Sequence, residues 1–350
     1  VPGRNQNHAS TQPIGPLGVE SLAALQAREA QRRLQLRKLL MRSPRTVVDV
    51  LARLTRFSAA LALTIPVLAG AAVALWEGHS LHPLALTLNL IATFTLLLGI
   101  HALAEYRDYR RAVAAHATNE VEPLATGYGL LVRGLIEPDI ALNLGHILLL
   151  ISALCGLWLP LLSGWPPLFF AGLSVLLIYC YVNPPLELAR RGWGIGEAAL
   201  FVSLGLLQTI NSYYVQSQNV SWLALLVSVP LGLLSVLMVH NYNVLFERRD
   251  WLMRKRTLAV ELGPLRALDL SAFLAVAVHI AIVAIVSLAA LPYGVLITLA
   301  ALPIALGAFA RIDRERLAAE DLFHVYKAGV AATFWVGFLF CAALVIAGLW

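Results

Sequence analysis

Ser221-Trp-Leu-Ala-Leu-Leu-Val-Ser-Val-Pro-Leu-Gly-Leu-Leu-Ser-Val-Leu-Met-Val-His240 carries no formal charge, and Asn241-Tyr-Asn-Val-Leu-Phe-Glu-Arg-Arg-Asp-Trp251 follows it with four charged residues. At the rise of an α-helix the first stretch covers roughly 30 Å, the thickness of a bilayer's hydrocarbon core. The second is where such a helix meets water. The alternation recurs along the chain and predicts nine spans, near 57–76, 83–101, 141–158, 167–182, 195–214, 221–240, 268–290, 292–310 and 329–350. With 59% hydrophobic and 13% charged residues, against roughly a quarter charged in a soluble domain, the solvent of this chain is lipid. The expected fold class is an all-α integral membrane bundle, because no β-barrel alternation competes with these runs.

Charge placement checks the span count independently. All 26 Lys and Arg fall in the N-terminal segment or in the connections after spans 2, 4, 6 and 8. The opposite connections, around Glu77, Gly164, Gln216 and Pro292, contain none. By the positive-inside rule the N-terminus is cytoplasmic and the C-terminus outside, in a multi-pass protein of the cell inner membrane. The net charge of +6 is thereby explained by topology, so no nucleic-acid partner is expected. Cys155, Cys180 and Cys341 sit singly in apolar runs, with neither a disulfide framework nor zinc spacing.

Residues 1–17 are polar and predict a poorly structured tail. Residues 18–50 form a basic segment in which Leu22, Leu25, Leu36 and Leu39 lie among Arg28, Arg32, Arg33, Arg37 and Lys38. This pattern suits an amphipathic helix on an anionic leaflet, or equally a solvated helix that docks on a partner. Residues 51–350 make up the membrane domain. Within it, Glu105-Tyr-Arg-Asp-Tyr109 and Glu247-Arg-Arg-Asp-Trp251 share the pattern E-x-R-D-aromatic at the same end of spans 2 and 6. Two four-span halves with a ninth helix added account for that spacing.

Positions three and four apart share a helix face, so His101, Glu105 and Asp108 line one stripe, and His240, Asn243, Glu247 and Asp250 another. Were the two stripes to face each other, four carboxylates would meet beside Arg107, Arg110, Arg248, Arg249 and Arg254. Such a site suits Mg²⁺, which takes a few carboxylates plus substrate phosphates, with arginines gripping a diphosphate. The alternative is plain: these charges mark where lipid gives way to water, and the acids pair with neighbouring arginines. The membrane histidines, His101, His146, His240, His279 and His324, are open in the same way. Each is either a pigment or haem ligand or a hydrogen-bond partner of a nearby carbonyl. Tyr106, Tyr109, Tyr213 and Tyr214 fit an acceptor cavity or an interfacial aromatic belt.

Several segments, in order, resemble the UbiA-type intramembrane prenyltransferases, most of all the 1,4-dihydroxy-2-naphthoate branch. They are Leu131-Val-Arg-Gly-Leu-Ile-Glu-Pro138, Tyr181-Val-Asn-Pro-Pro-Leu-Glu-Leu-Ala-Arg-Arg-Gly-Trp-Gly194, Tyr213-Tyr-Val-Gln-Ser-Gln-Asn-Val-Ser-Trp222 and Arg256-Thr-Leu-Ala-Val-Glu-Leu-Gly263. The resemblance implies a UbiA-type bundle that moves a prenyl group from a prenyl diphosphate to an aromatic quinone precursor, with Mg²⁺ held by two Asp-rich motifs. At the first motif this chain has Ala104, Glu105, Asp108 and Ala114; at the second it has Phe246 and Asp250, with Arg254 where a glycine is usual. On this basis Glu105, Asp108, Glu247 and Asp250 are the candidate catalytic and metal-binding residues. Asn243, Arg249, Arg254, Lys255, Arg256, Tyr109, Arg190 and Arg191 are the candidates for substrate binding.

Two functional expectations follow. In the first, catalysis is lost or impaired, because Ala104, Ala114 and Phe246 have no ligand oxygen. The fold then keeps a cavity for a quinone, an isoprenoid or a pigment tail, with membrane lipid and other membrane subunits as partners and no certain cofactor. In the second, the E-x-R-D pair forms a rebuilt Mg²⁺ site and transfer survives. A transporter is disfavoured, since no span shows the paired Gly/Pro interruptions of a midplane substrate site.

Overall fold

Thr46 opens the first helix by accepting a hydrogen bond from the Asp49 amide at 3.2 Å, and Asp49 and Arg53 sit at the ends that suit their charges. This helix, α1 (Val47–Leu54), straddles the boundary expected near residue 50. The computed structural model describes residues 46–116, 129–288, 291–315 and 317–349, with positions 27, 30 and 31. The polar tail and nearly all of the expected amphipathic helix lie outside the described residues.

Among the described residues, eight helices are long and apolar enough to cross a membrane: α2 (Phe57–Trp76), α3, α4 (Pro138–Ser163), α6 (Ile195–Ser217), α7 (Trp222–Leu245), α10 (Pro264–Leu288), α11 (Tyr293–Arg311) and α12 (Ala319–Gly348). Helix α3 runs over Pro83–His116. The segment expected as span 4 forms α5 (Pro166–Val182), an apolar helix of 17 residues at the short limit for a crossing. Short helices α8 (Glu247–Leu252) and α9 (Leu258–Leu262) fill the connection between α7 and α10. Among the described residues there is no strand, only an isolated bridge between Arg191 and Arg256.

Helix starts and stops follow local chemistry. Pro83, Pro138, Pro166 and Pro264 occupy first-turn positions, where a missing N–H costs nothing. Ser221 caps α7 through the Leu223 amide at 2.9 Å. Helix α5 ends at Asn183, as the following Pro184 requires. Two departures matter for the site. Helix α3 continues about four turns past the expected end of its span, because Ala, Arg, Glu and Tyr here sustain a helix in water. Helix α7 instead breaks at Phe246, so Glu247 and Asp250 belong to a new helix.

Lipid leaves no hydrophobic drive between helices, so packing rests on small residues and internal hydrogen bonds. Helices α2, α6 and α7 form the inner layer, with spans 78, 72 and 67% buried, whereas α4, at 17%, turns Ile147, Leu150, Leu154 and Leu161 outward. Helix α3 packs on α4 as α7 packs on α10, and α2 and α6 lie together, an arrangement in keeping with two related halves. Helices α6 and α7 meet where Gly205, inside a π-helical stretch over Phe201–Leu207, lies against Gly232. Between α3 and α6, Thr93 donates to Gln208 at 3.1 Å and Asn211 donates to Asn89 at 3.3 Å.

Candidate functional site

The start of α2, the ends of α3, α5 and α7, and the segment before α6 surround a cavity of about 960 Å³, its mouth included. Following α3 from Leu97 through Ile100, His101, Ala104 and Asp108 to Arg111, the lining changes from apolar to charged over roughly 20 Å of helix. The inner part is closed by Leu63, Ile178, Leu200, Leu204 and Met238. Arg56, Arg111, Arg190, Arg249 and Lys255 line its charged end, where Asp108 is the one acidic lining residue among the described residues.

Each cation is positioned by its neighbours. Arg56, in a left-handed conformation at the start of α2, donates to the Tyr242 hydroxyl at 2.7 Å and lies 4.2 Å from that ring's centroid. Arg111 pairs with Glu187 and, at 3.6 Å, with Asp108. Arg190 donates to the Met253 carbonyl at 2.5 Å. Its burial and the nearby Arg111 both push its pKa below the usual arginine value.

Asp250 is the centre of the second motif, and both its oxygens are taken. Arg249 donates to Oδ1 through Nη2 at 2.7 Å and Nε at 3.0 Å, and Lys255 donates to Oδ2 at 2.9 Å. Phe246 holds the arginine from below, its ring centroid 4.2 Å from the guanidinium carbon. Asp250 is 1% exposed; burial alone would raise its pKa, but Lys255 and Arg249 overcome that and hold it below the ordinary carboxylate value. Conversely, Asp250 raises the pKa of Arg249 against its own burial. A depressed folded-state pKa stabilises the fold above the unfolded value, roughly pH 4, and that contribution is lost as pH falls through the folded value. Thermal unfolding in detergent is therefore expected to show a gap between wild type and Asp250→Asn that is constant from pH 7 to 5 and narrows below pH 4.

The expected convergence of four carboxylates does not occur. Asp108 lines the cavity, but Glu105, 1% exposed, is not among the residues that line it, and Glu247 lies beyond the break at Phe246. Among the described residues no three His, Cys, Asp or Glu side chains gather as metal ligands. With Asp250 clamped by two cations, and Ala104 and Phe246 lacking oxygen, these residues do not fit Mg²⁺, which needs several free carboxylate oxygens around one point.

Of the expected substrate-binding residues, Asn243, Arg249, Lys255 and Arg190 line the cavity. The others do not. Tyr109 packs against Leu54, Ala102 and Leu130, and Arg254 is exposed. Arg256 pairs with Glu261 at 2.9 Å, and Arg191 donates to the Leu186 carbonyl at 2.7 Å. Arg107, Arg110 and Arg248 also lie off the cavity. Three of the membrane histidines make the hydrogen bond to a carbonyl that was one of their two readings. His101 contacts the Thr55 carbonyl at 2.9 Å, His240 that of Ala267 at 2.9 Å, and His279 that of Ala275 at 2.7 Å. Residues not anticipated are Arg56, Arg111, Tyr181, Tyr242 and Tyr326. Arg56 and Arg111 belong to none of the motifs singled out in the sequence, although Arg111 follows the Glu105–Tyr109 stretch at the end of span 2.

The sequence model of the UbiA prenyltransferase family matches residues 63–328. The 1,4-dihydroxy-2-naphthoate octaprenyltransferase of Mycobacterium leprae (strain TN) is 28% identical over 285 residues, covering 81% of this chain and 92% of that protein. Its namesake from Mycobacterium tuberculosis (strain ATCC 25618 / H37Rv) is 30% identical over 287 residues, covering 81% and 90%. Among solved structures, a UbiA homolog from Archaeoglobus fulgidus bound to GPP and Mg²⁺ superposes with a TM-score of 0.57 at 17% identity, covering 82% of this chain and 99% of that one. The apo UbiA homolog from Aeropyrum pernix K1 gives a TM-score of 0.56 at 17% identity, covering 81% and 97%. Both of these structures share the fold of this chain.

Proposed function

Because this chain belongs to the UbiA prenyltransferase family, we propose that its cavity holds a prenyl-tailed lipid with an anionic or quinone-type headgroup, and that Mg²⁺-dependent transfer is lost or impaired. The observation that carries this reading is the clamp on Asp250, whose two oxygens are held by Arg249 and Lys255. Breaking such a clamp to bind a metal would strand two cations with little solvent access. The apolar lining from Leu63 to Met238 suits an isoprenoid tail, shielding it from water while the charged end meets the headgroup. We place that charged end on the cytoplasmic side, with the basic segment 18–50 on the same leaflet. Companion membrane subunits belong to this reading, and gentle detergent extraction should co-purify them.

A second reading, surviving transfer to a naphthoate acceptor, is favoured by the names of the mycobacterial relatives and the length over which they align. One assay separates the two. The purified protein is offered prenyl diphosphates of several lengths with dihydroxynaphthoate and hydroxybenzoate acceptors, and diphosphate release is followed with Mg²⁺ and with EDTA. No release above background is expected, together with tight binding of an intact quinone or prenyl lipid. Turnover abolished by both EDTA and Asp108→Ala would establish the second reading instead.

A further inference from the structure

Trp193 and Arg254 both hold a left-handed backbone, with φ of 53° and 52°. An L side chain at such an angle crowds the carbonyl that follows it, a strain glycine escapes. Three other non-glycine residues among those described share the conformation, and each has a local reason for it. Arg56 reaches the Tyr242 hydroxyl, Glu187 pairs with Arg111, and Gln218 closes a helix, where a left-handed turn is common. No such reason holds at Trp193 and Arg254. Both side chains are exposed, the indole at 81%, and among the described residues neither makes a hydrogen bond, ion pair or ring contact. A strained position that keeps a large side chain with no internal contact points to a use outside the protein.

The two segments that carry them are latched into one surface. Arg190 donates to the Met253 carbonyl, an isolated bridge joins Arg191 to Arg256, and the Trp193 amide donates to Glu261. This surface flanks the start of α6 at Ile195 and the end of α7 at Leu245, so it lies where spanning helices leave the hydrocarbon. It exposes Arg191, Arg248, Arg254 and Arg256 beside Trp193 and Trp251, while no acid of residues 184–195 or 247–256 is exposed. We infer that it docks on the headgroups of anionic phospholipids, with Trp193 and Arg254 as its anchors. Positive charge without exposed acid complements such a leaflet, guanidinium matches the lipid phosphate, and indole suits the boundary between headgroup and hydrocarbon. The backbone strain then aims both side chains at the bilayer rather than at the protein. Neither residue lines the cavity, so the inference is separate from the cavity's occupant.

The test follows thermal unfolding of the full chain in detergent alone, and in mixed micelles with dioleoylphosphatidylglycerol or zwitterionic dioleoylphosphatidylcholine. Wild type is expected to gain about 4 °C more from the anionic lipid, and most of that difference should vanish in high salt. Trp193→Gly and Arg254→Gly should unfold in detergent alone no earlier than wild type, and up to about 2 °C later as strain is relieved. In each, the extra gain from the anionic lipid should fall by about half. Arg314→Gln removes an exposed arginine that pairs with Asp269, and it should keep the full gain. Equal gains from the two lipids, or a difference that both glycine variants retain, would overturn the inference. Early unfolding of both glycine variants in detergent alone would assign the side chains to the fold and overturn it too. A gain abolished by Arg111→Gln but kept in both glycine variants would place the lipid in the cavity, overturning this inference and supporting the cavity reading.

Discussion

Asp250→Ala is expected to cost about 3–5 kcal/mol of stability, the usual consequence of removing one partner from a buried ion pair. Arg249 and Lys255, 10% and 15% exposed, would then share a confined space with no counter-charge between them. Thermal unfolding in detergent, with size-exclusion chromatography to follow aggregation, provides the measurement. The sign is informative. In a site built to receive Mg²⁺, removing a carboxylate relieves repulsion in the metal-free protein and leaves stability unchanged or raised. A large loss from Asp250→Ala, partly recovered when Arg249→Met and Lys255→Met are added, identifies the acid as a structural counter-ion. A stable Asp250→Ala protein would refute the clamp and reopen the metal reading.

Gly205→Leu is expected to be the most damaging substitution within the membrane-spanning part. Even a Cβ at this position would fall 2.3 Å from Cα and 2.6 Å from the amide nitrogen of Gly232. Backbone cannot swing aside as a side chain can, so α6 and α7 would have to separate along their contact. The expected loss is at or above about 3 kcal/mol, the upper end of ordinary overpacking, and it should read out as failure to recover monodisperse protein after extraction. Gly156→Ala is the matched control. Nothing lies within 4 Å of its added Cβ, and it sits in α4, the least buried spanning helix, so its unfolding midpoint should be unchanged or slightly raised. Because α6 and α7 also carry Leu200, Leu204 and Met238 into the cavity wall, milder changes at Gly232 should weaken prenyl-ligand binding before they prevent folding.

Lipid imposes rules of length and charge that a window sliding along the chain can read, and those parts of the protein were legible in sequence alone. The 20 uncharged residues ending at His240, and the confinement of Lys and Arg to alternate connections, led directly to a helical bundle. The segment Arg256–Gly263 and its companions led to the family. Asn243, Arg249, Lys255 and Arg190, each near a recognisable motif, line the cavity. What no local pattern contained was the direction each helix face takes in the bundle. A stripe at three- and four-residue spacing shows which side chains share a face, but helix rotation and crossing decide what that face meets. Thus Glu105 turned into protein, and the break at Phe246 separated Glu247 from the stripe that begins at His240. Arg56, Arg111 and Arg249, up to nearly 200 positions apart in the chain, came together around one cavity only because tertiary packing joined the start of α2 to the end of α3 and to α8.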